Sequence, residues 1–455
     1  MKNQVFSFLI ILLMSSCIYQ PSMSKHLELI DNNDYELDDL INYSQNPIFY
    51  ASLFSPDSLL LSFSQVHNYY TDFQNRFFKV WTEQRSIDSL ISKKLLEYYQ
   101  QEIAWMIEHP GYGENKLLRE QTIADKIRNT ASLENGFNSM KKGIMLNYAN
   151  IRQMPTLKPN FHNFALPGEG YPFDYWQNST IPIGTPIFIY HENENWALID
   201  SHICQGWVPR TQIAYINEDD IDLLTSLDLM CIIKDRTPLY SSDHTYVGHA
   251  DIGTVFAIHH ENTEGYEAIG FWKNKMNIGE IIYLQIDKET AKTIPIPLTP
   301  RNIAMICNEM MGQIYGWGGG YYNRDCSQLL LDIFIGFGIL LPRNGKQQAY
   351  NFGRFVDLRT HKEEEWKTII INQAIPFLSL LRIPGHIMLY IGQVNNEPLV
   401  LHNFWGLRTL NNENEEGRFI VGKTVITTLE PGKNLLHLNP KMSFFRRLEG
   451  ITLFE

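Results

Sequence analysis

Two stretches of the chain, IGTPIFIYHEN from Ile183 and IGTVFAIHHEN from Ile252, share Ile-Gly-Thr at the front and His-Glu-Asn at the back. Recurrence at a fixed offset of 69 residues, read from those two starting positions, means one small unit built twice in succession. NWALID and GYEAIG follow the two copies at nearly the same distance. Around them, from about residue 145 to 298, lie short apolar segments bounded by Pro, Gly and Asn: TPIFIY, NWALID, GWVPR, CIIKD, TVFAIH, YEAIGFW and EIIYLQI. This punctuation predicts two consecutive small β-barrels, at 148–218 and 219–298. His191 and His260 hold equivalent places in the repeat. A turn histidine bonded to its own loop explains both more simply than a metal site.

The flanks differ from this β-rich middle. Residues 25–147 read as helical: LISKKLLEYYQQEIAWMIE (90–108) spaces its apolar residues at helical intervals, and HPGYG (109–113) supplies a stop. Trp81 and Trp105 in this region are expected to be core or packing residues rather than ligand-stacking ones. After the barrels, Thr299-Pro300 is a helix start, with Thr as N-cap and Pro in the first turn. RNIAMICNEMMGQ, a glycine run, a second helix and the strands HIMLYIG and LVLHNFWG follow, an α+β order over 299–455. The expected fold is therefore multidomain: a helical N-terminal segment, two all-β barrels and a C-terminal α+β domain. With 455 residues and 44% hydrophobic content the chain can bury several cores. Its net charge of -12, without a Lys/Arg cluster, argues against nucleic-acid binding.

The first residues concern location. Lys2, an apolar run from Val5 to Met14, then Ser15, Ser16 and Cys17 have the layout of an export signal over 1–17. MSSC resembles a bacterial lipobox, which implies lipidation of Cys17, a periplasmic location and a lipid anchor as the membrane attachment. The alternative is an ordinary cleaved secretory signal. Cys204, Cys231, Cys307 and Cys326 remain, widely scattered and without C-x-x-C pairs, so neither a zinc site nor a disulfide scaffold is expected.

The chemistry centres on GGGYYNRDCSQLLLD (318–332). Leu329, Leu330, Ile333, Phe334 and Phe337 form an apolar stripe, so the helix after Cys326 is expected to be central. Asp325 is placed to cap it. A thiol in the first turn feels free backbone N–H groups and the positive end of the helix dipole, which favour thiolate; a buried, inert cysteine is the alternative. His386 opens PGHIMLYIG and His402 ends LVLHNFWG, and a hairpin through QVNNEP brings both imidazoles to one end. One imidazole to accept the thiol proton and one to orient the first is the set a nucleophilic cysteine needs.

YGWGG (315–319), DCSQ (325–328), LPR (341–343), PGHIMLYIG (384–392) and LHNFWG (401–406) together resemble the NlpC-type, papain-like cysteine peptidases of bacterial cell walls. RQMPT (152–156), the IGTP turn and GWVPRTQIA (206–214) resemble bacterial SH3-like domains. A helical segment, two such barrels and this domain, in this order, resemble the subgroup that cleaves γ-D-glutamyl-diaminoacyl bonds of peptidoglycan stem peptides. The resemblance implies Cys326 as nucleophile, His386 as general base and His402 as its orienting residue. It further implies that Asp325 binds the free amine of an N-terminal L-Ala, with Ser327 in the same pocket, Tyr315 and Trp317 along its wall and Tyr175 narrowing it from the first barrel. No metal and no organic cofactor are implied, and the implied partners are stem peptides or muropeptides. Two positions depart from the pattern: Gln328 replaces a glycine and Asn344 an aspartate. A non-catalytic peptidoglycan-binding protein, and an amidase or acyltransferase on the same fold, are the competing readings.

Overall fold

The computed structural model describes residues 37–455. Cys17 and the export segment lie outside the described residues. Among the described residues six helices come first: α1 (Asp38–Asn42), α2 (Pro47–Ser52), α3 (Phe63–Phe77), α4 (Lys79–Thr82), α5 (Leu90–Glu108) and α6 (Gln121–Ala131). The limits of α5 are those the periodicity predicts. Ser89 caps it by accepting the Ser92 N–H at 3.1 Å, a contact worth about 1 kcal/mol, and Leu95, Tyr99, Ile103 and Met106 are its buried stripe. Trp105 is a packing rather than a core residue: it falls beside that stripe, is 53% exposed and stacks on the His109 ring at 4.6 Å. Trp81 is buried, and its indole N–H donates to Gly143 O at 2.9 Å.

The helical region divides its packing. Phe77, Trp81 and Tyr99 share a core with Phe188, Tyr190 and Trp207 of the first barrel. Tyr50 and Ala51 of α2, with Leu61, instead enter the core of the C-terminal domain.

The first barrel contains β1 (Lys141–Met145), β2 (Ala149–Arg152), β3 (Gln177–Ile181), β4 (Pro186–Glu192), β5 (Trp196–Asp200), β6 (Gly206–Pro209) and β7 (Ile213–Tyr215), in the order β3-β2-β6-β5-β4-β1-β7. Its first strand starts inside the stretch expected to be helical. Gly143 makes that strand possible, because a Cβ there would sit 2.7 Å from Ala214 O of β7. Helix α7 (Glu218–Ser226), capped by Asn217, joins the barrels.

The second barrel contains β8 (Leu229–Ile232), β9 (Thr237–Ser241), β10 (Tyr246–Ala250), β11 (Val255–Glu261), β12 (Gly265–Lys273), β13 (Gly279–Asp287) and β14 (Ala291–Thr293), in the order β10-β9-β13-β12-β11-β8-β14. Strands β4 and β11 begin at Pro186 and Val255, preserving the sequence offset. The repeated histidines lie in these strands rather than in turns. His191 is buried and meets Ser132 of the helical region, Nε2 to Oγ at 3.4 Å, whereas His260 is exposed.

In the C-terminal domain, α8 (Pro300–Met310) is capped by Thr299 and α9 (Cys326–Ile335) by Asp325. Helices α10 (Gly345–Tyr350) and α11 (Trp366–Gln373) follow. The sheet contains β15 (Arg354–Asp357), β16 (Leu380–Ile383), β17 (His386–Val394), β18 (Glu397–Leu410), β19 (Glu416–Thr428) and β20 (Gly450–Leu453), antiparallel in the order β15-β20-β16-β17-β18-β19. Both faces are buried, as strand alternation permits. Ile387 and Leu389 meet Leu329, Leu330 and Ile333 of α9, while Met388 and Tyr390 face a second cluster with Val400 and Phe404. Strand β18 continues past His402 to Leu410 because β19 pairs with it along that length.

Candidate active site

The site is built on the start of α9. Asp325 is extended (φ -90°, ψ -177°) and its carboxylate turns back over the first turn. Oδ1 accepts the N–H of Ser327 at 3.1 Å and of Gln328 at 2.8 Å, together with the Ser327 hydroxyl at 3.0 Å. Arg343 grips the same carboxylate from the side, Nη2 to Oδ2 at 2.7 Å and Nη1 to Oδ1 at 3.2 Å, and the Gly318 N–H donates to Oδ2 at 3.1 Å. Burial pushes this carboxyl up, but Arg343 and the N–H donors outweigh it, and the group is held below its usual range.

The glycine run supplies the close approach that this arrangement needs. Gly318 has φ +58°, and a Cβ there would lie 2.3 Å from Gln177 O of the first barrel. The Gln177 amide donates to Gly318 O at 3.0 Å, and Arg343 Nε donates to Ser179 Oγ at 2.7 Å. Strand β3 is thus fastened directly onto the loop and helix that carry Cys326.

Cys326 is partly exposed and lines a cleft of about 670 Å³ together with His386, Asp325, Tyr315, Trp317 and Tyr175. Hydrogen bonding from the Ile387 backbone, the Arg343 charge and the nearby Ser327 backbone favour thiolate. Burial, followed by the Asp325 charge, dominates and pushes the thiol up to about 12. Burial likewise pushes His386 down to about 3, helped by Arg447 and Arg382 and opposed by Asp325. The resting pair is therefore a neutral thiol beside neutral imidazole. These directions oppose the thiolate-favouring pull expected at a helix start, and burial is the largest influence on the thiol.

The hairpin brings the two histidines together: His386 Nε2 lies 2.8 Å from His402 Nδ1. His402 is fully buried, stacked on Phe404 at 4.5 Å and edge-on to Phe444. Its Nε2 meets Thr427 Oγ1 at 3.0 Å.

Every expected site residue within the described region except His402 lines the cleft, and His402 stands behind His386. Tyr175 is held by a hydroxyl bond to Glu169 at 2.9 Å and by stacking on His162 at 3.8 Å. Gln328 is buried, donating to Asp332 Oδ1 at 2.6 Å, and Asn344 caps α10. Sequence reasoning missed Arg343, Gln177 and Thr427. Only the first stood in a visible motif, LPR.

Residues 312–403 match the NlpC/P60 family, and residues 6–135 the N-terminal stabilising domain of that family. Residues 159–209 match an SH3 domain of SH3b1 type and residues 217–262 an SH3 domain of SH3b2 type. No curated protein matches the sequence. Among solved structures, an NlpC/P60 endopeptidase from Photobacterium damselae subsp. piscicida is similar with a TM-score of 0.80 at 26% identity, over 90% of this chain and 97% of that one. An NlpC/P60 family protein from Bacillus cereus ATCC 10987 gives 0.46 at 16% identity, over 69% and 99%. A helical region, two SH3 domains and an α+β domain stand in that order, and the α+β domain is an NlpC/P60 domain, which supports a cell-wall peptidase or hydrolase.

Proposed function

We propose that the protein hydrolyses the γ-D-glutamyl-diaminoacyl bond of peptidoglycan stem peptides, with Cys326 as nucleophile, His386 as general base and His402 as the residue that orients it. The observation that carries this reading is a partly exposed helix-start thiol sharing a polar cleft with an imidazole whose far nitrogen is held by a second, buried imidazole.

With a neutral resting pair, His386 takes the thiol proton as sulfur attacks the γ-glutamyl carbonyl. Ser327 and Gln328 have committed their N–H groups to Asp325. The N–H of Cys326 itself remains as the helix-end donor for the oxyanion. His386 then passes its proton to the departing amine as the C–N bond breaks, leaving a thioester. Water, deprotonated by His386, attacks that thioester and releases the glutamyl carboxylate and the thiol. Tyr175, Tyr315 and Trp317 narrow the cleft to short, unbranched peptides. An N-terminal L-Ala ammonium at Asp325 shares that carboxylate with Arg343, so muropeptides with and without a free alanine amine measure how far the site requires one.

The test is digestion of L-Ala-γ-D-Glu-diaminopimelate. Release of L-Ala-D-Glu is expected from the native protein and none from Cys326→Ala; equal turnover by the two ends the proposal. We also propose export and a lipid on Cys17. Cys17→Ala should move the protein from the membrane to the soluble periplasmic fraction, and an unchanged membrane fraction argues against the anchor.

A further inference from the structure

We propose that Thr427 is a positioning residue that sets the tautomers of both histidines, so that His386 presents an unprotonated Nδ1 to the thiol. This rests on the reading of His386 as the base. Thr427 is fully buried in β19, the edge strand beside His402. Its hydroxyl oxygen lies 2.7 Å from Thr428 O and 3.0 Å from His402 Nε2. A carbonyl can only accept, so the single hydroxyl proton goes to Thr428, and towards His402 the oxygen must itself accept. The proton of His402 is therefore on Nε2, and its Nδ1 carries a lone pair. That lone pair faces His386 Nε2 at 2.8 Å, so His386 donates from Nε2 and its Nδ1 is bare. One hydroxyl thus dictates the state of an imidazole two links away.

The deduction requires neutral rings, and their surroundings supply that condition. Burial depresses both. The Phe404 and Phe444 rings that pack against both histidines offer no charge to an imidazolium.

The relay is anchored from the far end of the chain. The Thr428 N–H and hydroxyl both donate to Asp39 Oδ2, at 2.6 and 2.7 Å. Gln45 brackets Ile426 with two bonds of 2.9 Å. The segment carrying α1 and α2 therefore closes the outer edge of β19 next to the residue whose carbonyl aims the Thr427 hydroxyl. An edge strand covered in this way keeps one register.

The test uses the full chain labelled with 15N-histidine, and the variants Thr427→Val, which keeps the shape, and Thr427→Ser, which keeps the hydroxyl. Two-bond 1H–15N correlation spectra of the native protein should show His386 and His402 as Nε2–H tautomers. Thr427→Val should mix the tautomers and lower kcat by roughly 10- to 100-fold with KM little changed, and Thr427→Ser should restore both. A native His402 protonated on Nδ1, or a Thr427→Val enzyme with native tautomers and native kcat, overturns the proposal. If Thr427→Val does not fold, the native spectrum alone decides. The spectra need no substrate, so failure to cleave the γ-D-glutamyl bond refutes the functional reading and leaves this one to be judged separately.

Discussion

The two barrels descend from one repeated pattern, yet they meet the active site differently. The first supplies wall: Tyr175, Gln177, Asn178 and Cys204 line the cleft, and β3 reaches the helix start through Gln177 and Ser179. The second supplies no cleft wall among the described residues and instead holds the backbone behind the thiol. Its Asp235 takes Arg324 Nη1 at 2.6 Å and Nη2 at 2.8 Å, while Asp332 of α9 takes Arg324 Nε at 2.6 Å. Arg324 precedes Cys326 by two residues and is buried. Duplication of the fold therefore did not duplicate its use, since one copy shapes what enters and the other secures what reacts.

The largest expected effect comes from breaking the securing role. Asp235→Ala leaves a buried guanidinium with one carboxylate, and loss of one partner of such a pair costs about 3–5 kcal/mol. The unfolding free energy from urea titration should fall by that amount, seen as a lower midpoint at an unchanged m-value, while the folded enzyme keeps its KM. A native midpoint with an altered KM would make the second barrel a wall as well, and the comparison would collapse.

A smaller effect belongs to the histidines, which neither barrel touches directly. The folded state holds His386 near 3, against an ordinary value of about 6.5. Between these values the unfolded chain binds more protons than the folded one, so the contribution to stability is present above pH 6.5 and is lost as pH falls towards 3. At pH 5.5 the loss is on the order of 1 kcal/mol from this residue, and His386→Gln should flatten that part of the stability curve. The acid limb of kcat should likewise lie well below about pH 6. Barrel variants should leave the limb in place; an acid limb near 6.5 would show that His386 protonates as an exposed imidazole does.

Legibility of the molecule in its sequence follows the range of the interactions. The repeat, helix α5 and the caps at Thr299 and Asp325 are local patterns and were readable. The hairpin carrying His386 and His402 was readable because one short turn joins its strands. Strand β1 was not, since KKGIM shows no alternation and becomes a strand only through its distant partners in β4 and β7. The docking of α2 on the C-terminal core, the Gln177 contact 141 residues from Gly318, and Thr427 in TVITTLE have no local signature. Arg343 was visible as part of LPR, but its grip on Asp325 spans 18 residues and depends on how α9 and the following loop fold.

The smallest effect tests the shaping role of the first barrel. Tyr175 is 37% exposed and stands beside Trp317, ring centres 6.0 Å apart. It lies outside the proposed relay of Cys326, His386, His402 and Thr427, and its removal strips one wall without touching Arg343 or Asp325. Tyr175→Ala should raise KM for the tripeptide about 3- to 10-fold, roughly the 1 kcal/mol of one half-exposed aromatic contact. The unfolding free energy should change by less than about 0.5 kcal/mol, as for surface substitutions generally. The wider mouth should also admit branched or longer muropeptides that the native cleft rejects, read by mass analysis of the digest. If the rejected substrates stay rejected while kcat falls, Tyr175 acts on the chemistry rather than on entry, and the division between the barrels must be drawn elsewhere.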